Sequence, residues 1–250
     1  MAISASSRWA RWVGITGRRA GRNLDRPGPG PAVRIVVEPG PPRESDPDLG
    51  AALFDVCFAV VDVETTGGSP ASSALTEIAA AKYRGGECVG EFQSLVDPGC
   101  DVPPLISLLT GITDAMVRGA PSVSSVLPSL LEFVHGSVIV GHNVGFDLSF
   151  LDAALGDNGY EPLGNSTLDT LALARRLVRP DVPNCKLRTL ATALHLEHLP
   201  SHRALDDVRA TADLLHRLIE HASGYDCFVL GDLIDLMAQP APRARVSEVG

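Results

Sequence analysis

The most constraining feature of this sequence is an apolar segment, residues 57–64, that carries two acids near its end. Its composition and the glycines that follow it predict a buried strand and then a turn. Asp62 and Glu64 are two positions apart, so in a strand they share one face, with Cα atoms about 7 Å apart. Neighbouring carboxylates near a core repel each other unless a cation lies between them, and oxygen ligands favour a divalent cation. Two acids meeting solvent at a strand end are the alternative.

The rest of the pattern predicts an α/β domain with a mixed five-stranded sheet flanked by helices. Gly85 and Gly86 lie between two strand-like runs, in a position typical of a hairpin turn. An apolar patch at residues 228–237 is compatible with a short docking helix. The predicted strands are residues 57–64, 75–83, 88–96, 137–140 and 166–168, and the predicted helices are residues 123–134, 145–155, 169–178, 187–194 and 203–221.

Composition divides the chain into three parts. Residues 1–50 are rich in Arg, Pro and Gly and predict a disordered leader. A mitochondrial transit peptide, a segment that contacts nucleic acid and an over-long start are the alternatives for this leader. Residues 51–222 are the predicted catalytic domain, and residues 223–250 are the predicted C-terminal tail.

Charge and cysteine usage limit the classes of function. Residues 51–250 contain 13 basic and 25 acidic side chains, which argues against binding long stretches of duplex through Lys and Arg. An enzyme that holds a few terminal nucleotides through bound cations is compatible with this charge. The sequence contains no run of 18 or more apolar residues, so no membrane span is predicted. Its five cysteines are widely spaced, which indicates reduced thiols and a cytoplasmic protein.

Asp147 introduces a third acid into an apolar pattern. In a helix over residues 145–155 it falls inside the arc formed by Phe150, Leu151 and Ala154, whereas Asp152 falls outside that arc. A charge on a core-facing stripe requires a partner. A helix cap is the alternative role for an acid this close to a helix start.

Two adjacent aspartates near the last predicted helix of the domain are expected to point in different directions. Asp207 falls beside its apolar face, whereas Asp206 points to the polar side. His202 is five residues before Asp207, about 140° away in a continuous helix, so it is expected in the preceding loop. A loop position lets an imidazole reach a site that the helix position does not.

These segments together resemble the three exonuclease motifs of the DEDDh (DnaQ-like) 3′→5′ exonuclease family, most of all those of the DNA polymerase III epsilon type. The likeness extends over about residues 55–222, and residues 109–113, 168–170 and 184–187 are similar to the linking segments of that type. The resemblance rests on Asp62, Glu64, Thr65, Thr66 and Gly67, then His142, Asn143, Phe146 and Asp147, then His202 and Asp207.

The resemblance implies an RNase H-like fold and removal of nucleotides from a 3′ end with two Mg²⁺ or Mn²⁺ ions. By this likeness Asp62, Glu64, Asp147 and Asp207 hold the ions, with Asp62 bridging, and His202 is the general base. The implied contacts to the 3′-terminal nucleotide come from Thr65, Thr66 and Gly67, with Asn143 and Phe146 as further candidates. The alternatives for these last two are a turn residue and a core residue.

Other basic and histidine groups have open interpretations. A cluster of cations either follows the phosphates of the incoming strand or is a solvated helix end. Three histidines at helical spacing raise the alternative of a zinc site, although Pro200 interrupts such a helix. The cations are Arg175, Arg176, Arg179, Lys186 and Arg188, and the histidines are His195, His198 and His202.

The expected partner is single-stranded or 3′-terminal DNA, with RNA and a DNA polymerase as further candidates and no membrane. An exoribonuclease of the oligoribonuclease or RNase T-like type and a non-catalytic nucleic-acid-binding module are the rival functions. Epsilon-type subunits carry a C-terminal segment that binds the polymerase, and no such segment is recognised in the 26 residues after Gly224. A stand-alone repair exonuclease is therefore an alternative to a proofreading subunit.

Overall fold

The computed structural model describes Arg34–Val37 and residues 47–239. The predictions for the remainder of the leader and for residues 240–250 lie outside these described residues. The strands are β1 (Arg34–Val37), β2 (Cys57–Thr65), β3 (Leu75–Arg84), β4 (Glu87–Leu95), β5 (Val138–Gly141) and β6 (Thr167–Asp169). The helices are α1 (Pro104–Thr110), α2 (Asp114–Val117), α3 (Val123–Val134), α4 (Val144–Asp157), α5 (Thr170–Leu177), α6 (Leu187–Ala193), α7 (Ala204–Ala222) and α8 (Leu230–Ala238), with 3-10 turns at Arg179–Asp181 and Ser223–Tyr225.

The strands form one mixed sheet in the order β1-β4-β3-β2-β5-β6. The β2, β3 and β4 strands pair antiparallel, whereas β5 and β6 extend the sheet from β2 in parallel. Gly85 and Gly86 form the tight turn between β3 and β4 with φ values of 61° and 85°, where residues with side chains are disfavoured. The predicted five-stranded mixed sheet flanked by helices is confirmed.

A sixth strand, β1, lies within the segment for which disorder was predicted. It pairs antiparallel with β4, with Arg34 opposite Gln93 and Val37 opposite Gly90. Three consecutive β-branched residues, Ile35 to Val37, favour this extended conformation, and their pairing covers the edge of β4. The prediction of a mostly disordered leader did not include this strand.

Helices cover both faces of the sheet because alternate residues of β2 point in opposite directions. Phe58 and Val60 pack in a core with α5, α7 and α8. Ala59, Val61 and Val63 pack in a second core with α3 and α4. By the same alternation, Asp62 and Glu64 belong to the face that α7 covers.

Two short helices, α1 and α2, were not predicted. They enclose a small third core of Val102, Ile112 and Val117. The α1 helix has seven residues between Pro103 and Gly111, and most of its leucines face solvent, so it lacks the apolar periodicity that identifies a helix in sequence.

The predicted docking helix near the C-terminus is present as α8. Its Leu230, Leu233 and Leu236 are buried in the core shared with α5 and α7. The backbone N–H of Leu53 donates to the Phe228 carbonyl at 3.0 Å, so the segment before β2 is bonded to the segment before α8. All five cysteines are free thiols. Among the described residues, no helix combines the length and the apolarity needed to cross a bilayer.

Candidate active site

Three carboxylates from two elements meet at the carboxyl end of β2. Asp62 and Glu64 lie on the strand, and Asp207 lies in the first turn of α7. One oxygen of each carboxylate lies within 4.8 Å of the others, and within residues 47–239 no other three acids, histidines or cysteines gather so closely. The predicted convergence of these three acids is present in the fold, although Asp62 and Asp207 are 145 positions apart in the sequence.

Asp147 reaches the same end of the sheet from α4. Its side chain is only 4% exposed, and the backbone N–H of Val63 donates to its Oδ1 at 3.0 Å. The N-cap of α4 is Asn143, so Asp147 does not cap this helix. Asp147 lies outside the group of three, yet its negative charge is the largest charge effect that raises the pKa of Asp62.

The two adjacent aspartates of α7 separate as predicted. Asp207 is buried, and its Oδ1 accepts hydrogen bonds from the backbone N–H of Ser201 at 2.8 Å and of His202 at 3.2 Å. The Asp206 side chain is 50% exposed and accepts a hydrogen bond from Ser201 Oγ at 2.7 Å. The loop before α7 therefore orients Asp207 towards the other acids.

The cluster holds its protons more tightly than ordinary carboxyl groups do. Burial, reinforced by the charges of Asp147 and Asp207, raises the pKa of Asp62 well above its usual value. Burial and the charge of Asp207 raise the pKa of Glu64 to about 8, and burial raises that of Asp147 to about 7. Burial also raises the pKa of Asp207, although the hydrogen bonds from two backbone N–H groups stabilise its charge and lower the pKa in part. A site with these properties favours occupation by protons or by cations.

His202 lies in the loop before α7, as predicted, and it is exposed. Its φ of 61° is in the left-handed region, which a residue with a Cβ adopts only when its surroundings enforce it. The hydrogen bond from its N–H to Asp207 is one such constraint. The backbone of His202 is therefore fixed next to Asp207, one of the three clustered acids.

A buried ion pair supplies a second constraint on this loop. Glu77, on β3, is completely buried and faces Glu64 in the register of the sheet. Its carboxylate accepts two hydrogen bonds from Arg203, at 3.1 and 2.9 Å, and one each from Gln93 and the backbone N–H of Ala204. Sequence reasoning missed this pair, although an acid inside a predicted apolar strand was a visible signal.

The turn after Glu64 is closely packed. Thr65 Oγ1 donates to the Gly67 carbonyl at 2.6 Å, and Thr66 Oγ1 accepts from the backbone N–H of Ala74 at 2.9 Å. A Cβ at Gly67 would lie 2.6 Å from Ser73 Oγ, closer than such atoms approach, so glycine suits this position. The three predicted contact residues are adjacent to the acids, and both threonine hydroxyls also stabilise the turn.

The predicted substrate residues of the second motif lie at the start of α4. Asn143 is exposed, has a φ of 72° and donates its backbone N–H to Asp169 Oδ1 at 2.9 Å. Phe146 is half-buried against Phe150, with ring centroids 5.1 Å apart. Both therefore combine a structural contact with partial access to solvent.

The histidines of the zinc hypothesis do not form a common site. His198 Nδ1 lies 3.0 Å from Asp213 Oδ2, and this hydrogen bond raises the pKa of His198. His142, which was not part of that hypothesis, is also engaged: its Nε2 lies 2.8 Å from the Cys185 carbonyl, and burial lowers the pKa of His142. Both rings are thus engaged in structural contacts, and His195 joins no ligand group among the described residues.

Comparison of the sequence with known proteins finds exonucleases. The RNase_T family model, described as an exonuclease, matches residues 59–215. A Mycobacterium tuberculosis protein, named for both exonuclease and endonuclease activity, is 43% identical over 73% of this chain and 29% of its own length. A PolC-type DNA polymerase III of Clostridium perfringens is 43% identical over 65% of this chain and 11% of its own length. The chain thus spans less than a third of these relatives.

Solved structures with the same fold are also exonucleases by name. Exonuclease X in complex with 5′ overhanging duplex DNA has a TM-score of 0.57 and 24% identity, over 72% of this chain and 99% of the other. Escherichia coli exonuclease I in complex with a dT13 oligonucleotide has a TM-score of 0.62 and 23% identity, over 69% of this chain and 43% of the other. At these identities the likeness establishes the fold.

Proposed function

This chain belongs to the RNase_T exonuclease family, and from that premise we propose that it removes nucleotides one at a time from the 3′ end of DNA. The observation that carries the proposal is the meeting of Asp62, Glu64 and Asp207, with Asp147 beside them, at one end of the sheet. Carboxyl ends of strands are where open α/β sheets bind their ligands.

The donor set fits divalent cations. The four acids supply only carboxylate oxygens, which match Mg²⁺ or Mn²⁺ better than softer ions. Exonucleases of this family are metal-dependent, and Asp62, Glu64, Asp147 and Asp207 are the residues that would hold two such ions. When bound, the ions stabilise the charge on the attacking and leaving oxygens at phosphorus.

His202 is the proposed general base. It accepts a proton from the attacking water, the resulting hydroxide attacks phosphorus, and the bond from phosphorus to the O3′ atom of the shortened strand breaks. The released O3′ takes a proton from solvent, which leaves a nucleoside 5′-monophosphate and a new 3′ hydroxyl. Proton transfer requires a neutral imidazole, and its accessible position in the loop allows exchange of that proton with solvent.

The proposed contacts to the terminal nucleotide come from the turn and from α4. Thr65, Thr66 and Gly67 are adjacent to the acids, and Asn143 and Phe146 lie at the start of the helix that carries Asp147. The catalytic domain is proposed to comprise residues 51–222, with the segment that contains α8 covering one of its cores. Free thiols are compatible with work in the cytoplasm.

A time course with 5′-labelled oligonucleotides tests the proposal. Single-stranded DNA, a duplex with a mispaired 3′ end and RNA of matched sequence are each incubated with Mg²⁺, Mn²⁺ or EDTA. Stepwise shortening of both DNA substrates, absent in EDTA, is the expected result. Faster shortening of RNA favours the exoribonuclease alternative, and no shortening of any substrate contradicts the assignment.

The relatives named as PolC-type polymerases suggest a polymerase as partner. An enzyme that works with a polymerase is expected to prefer the mispaired duplex to single-stranded DNA. A stand-alone repair enzyme is not expected to show this preference. The ratio of the two rates in the same time course distinguishes these alternatives.

A further inference from the structure

A groove next to the acidic centre has a chemistry of its own. It has a volume of about 860 Å³ and runs between the start of α4, the end of α5 and the start of α6. Asn143 and Asn184 contribute polar groups, and Arg175, Arg179 and Lys186 contribute cations. The groove is therefore positively charged in a domain that is otherwise acidic.

The cations of the predicted basic cluster divide into two groups. Arg188 donates to the Pro200 carbonyl at 2.6 Å and Arg176 to Gln239 Oε1 at 3.0 Å, so both are engaged in structural contacts. Within residues 47–239, Arg175, Arg179 and Lys186 form no salt bridge, whereas Arg203, Arg209 and Arg217 each pair with a glutamate. The cations of the groove are thus available for an external anion.

The position of the groove relates it to the proposed reaction. The β2, β5 and β6 strands are parallel neighbours, so their carboxyl ends lie along one edge of the sheet. Asp62 and Glu64 are at the end of β2, whereas Asn143 and Asp169 mark the ends of β5 and β6. At about 4.8 Å per strand, the groove begins roughly 5 to 10 Å along this edge from the acids.

We propose that this groove binds the sugar-phosphate backbone of a single strand behind its 3′-terminal nucleotide, through Arg175, Arg179 and Lys186. This inference rests on the proposed function, since it concerns the substrate of the same site. Three cations on separate elements match a row of phosphates better than the single phosphate of a mononucleotide. Among the described residues, no Phe, Tyr or Trp lines the groove, so the expected contacts are to phosphates and binding is expected to be independent of base sequence.

The test compares a groove variant with a matched variant of equal charge. The groove variant carries Arg175→Gln, Arg179→Gln and Lys186→Gln, and the control carries Arg84→Gln, Arg118→Gln and Arg217→Gln. Shortening of oligothymidylates of 2, 4, 8 and 12 nucleotides is measured with Mg²⁺ at several salt concentrations. Hydrolysis of thymidine 5′-monophosphate p-nitrophenyl ester reports on the acidic centre alone.

For the groove variant, KM for the 12-nucleotide strand is expected to rise about 10-fold or more, with kcat changed less than about 2-fold. The slope of log affinity against log salt falls by about 2, since each lost phosphate contact on a single strand removes about 0.7. The dinucleotide, the chromogenic ester and the control variant change little. A KM for the long strand equal to that of the control overturns the inference, as does an equal loss on the dinucleotide.

Binding without turnover separates this inference from the assigned activity. Fluorescence anisotropy with the labelled 12-nucleotide strand is measured in EDTA for the wild type and both variants. Weaker binding by the groove variant alone supports the groove even if no substrate is shortened. Equal binding by the two variants overturns the groove, although stepwise shortening by the wild type leaves the nuclease assignment intact.

Discussion

Two sets of acids lie side by side in this sheet and have opposite surroundings: Glu77 is completely buried, whereas Asp62 and Glu64 are partly exposed. Glu77 on β3 is completely buried, and four hydrogen bonds, two of them from Arg203, satisfy its carboxylate. Glu64, opposite it on β2, and Asp62 accept no hydrogen bond from the described residues. The difference shows that burial alone does not distinguish a proposed metal ligand from a structural acid, since the most deeply buried acid, Glu77, is the one whose carboxylate is fully paired.

The difference in surroundings is also a difference in energy. A buried charge with an ion partner keeps its ionised state, whereas neighbouring buried acids without one retain protons or bind cations. Burial is the largest cause of the raised pKa values of Asp62, Glu64, Asp147 and Asp207, and in Asp147 and Asp207 it outweighs the backbone N–H groups that stabilise their charges. The proposed metal ligands are thus expected to reduce the free energy of unfolding when no cation is bound, whereas removal of one partner of the Glu77–Arg203 pair is expected to reduce it by leaving the other uncompensated.

Asp62→Ala gives the largest expected effect. Loss of this proposed metal ligand is expected to remove several kcal/mol of transition-state stabilisation, or about 10³-fold in rate. Without metal, the variant is expected to unfold at the same or a higher temperature than the wild type, because a desolvated carboxyl group that accepts no hydrogen bond from the described residues has been removed. Rates with Mg²⁺ and melting curves in EDTA measure the two effects. Asp206→Ala is the matched control, and full activity of Asp62→Ala would contradict the assigned site.

Arg203→Ala tests the structural acid, Glu77. Removal of this guanidinium leaves Glu77 buried without its ion partner, which is expected to cost about 3 to 5 kcal/mol of unfolding free energy. Urea denaturation measures the loss. A decrease below about 1 kcal/mol would show that Glu77 is not the structural counterpart of the acidic cluster.

His202→Ala is expected to reduce the rate about 10²-fold or more with little change in KM, since general base catalysis contributes in that range. Its stability should remain close to that of the wild type, because the imidazole is exposed. His195→Ala, in the preceding loop, is the control. A loss confined to KM would instead indicate that His202 binds substrate.

The metal-free protein is expected to lose stability as pH rises from 6.5 to 8.5. Glu64, with a pKa raised to about 8, and Asp147, at about 7, keep their protons in the folded state when the unfolded chain has lost them. The cost of ionisation begins above the ordinary pKa values and is complete above the raised ones. Melting temperatures in EDTA should fall across this range, and Mg²⁺ should reduce the fall. A melting temperature in EDTA that does not change with pH would contradict the raised pKa values on which the contrast with Glu77 depends.

Arg209→Ala gives the smallest effect. Arg209 binds both oxygens of Glu91 at 2.8 and 2.9 Å, as Arg203 binds Glu77, but about 28% of the Glu91 side chain is exposed. Water can replace the lost partner, so the expected cost is about 0 to 1 kcal/mol. Urea denaturation of both arginine variants measures the contribution of burial. Equal costs would mean that burial does not distinguish the two pairs.

Local patterns in the sequence predicted most of the elements and the acids of the candidate site. Alternation along β2 placed Asp62 and Glu64 on one face, and the helical wheel separated Asp207 from Asp206. These inferences succeed because side-chain direction within a strand or helix depends on backbone periodicity, which neighbouring residues determine. The predicted loop position of His202 follows from the same periodicity.

Contacts between distant segments were decided only by the tertiary structure. The bond between Glu77 and Arg203 spans 126 positions, and β1 pairs with β4 although the leader composition indicated disorder. Packing also decides the roles of the basic cluster, since Arg188 donates to the Pro200 carbonyl whereas Lys186 lines the groove. Sequence periodicity determines which face a side chain takes, whereas the partner on that face, and hence the free energy of a buried charge, depends on how the elements pack.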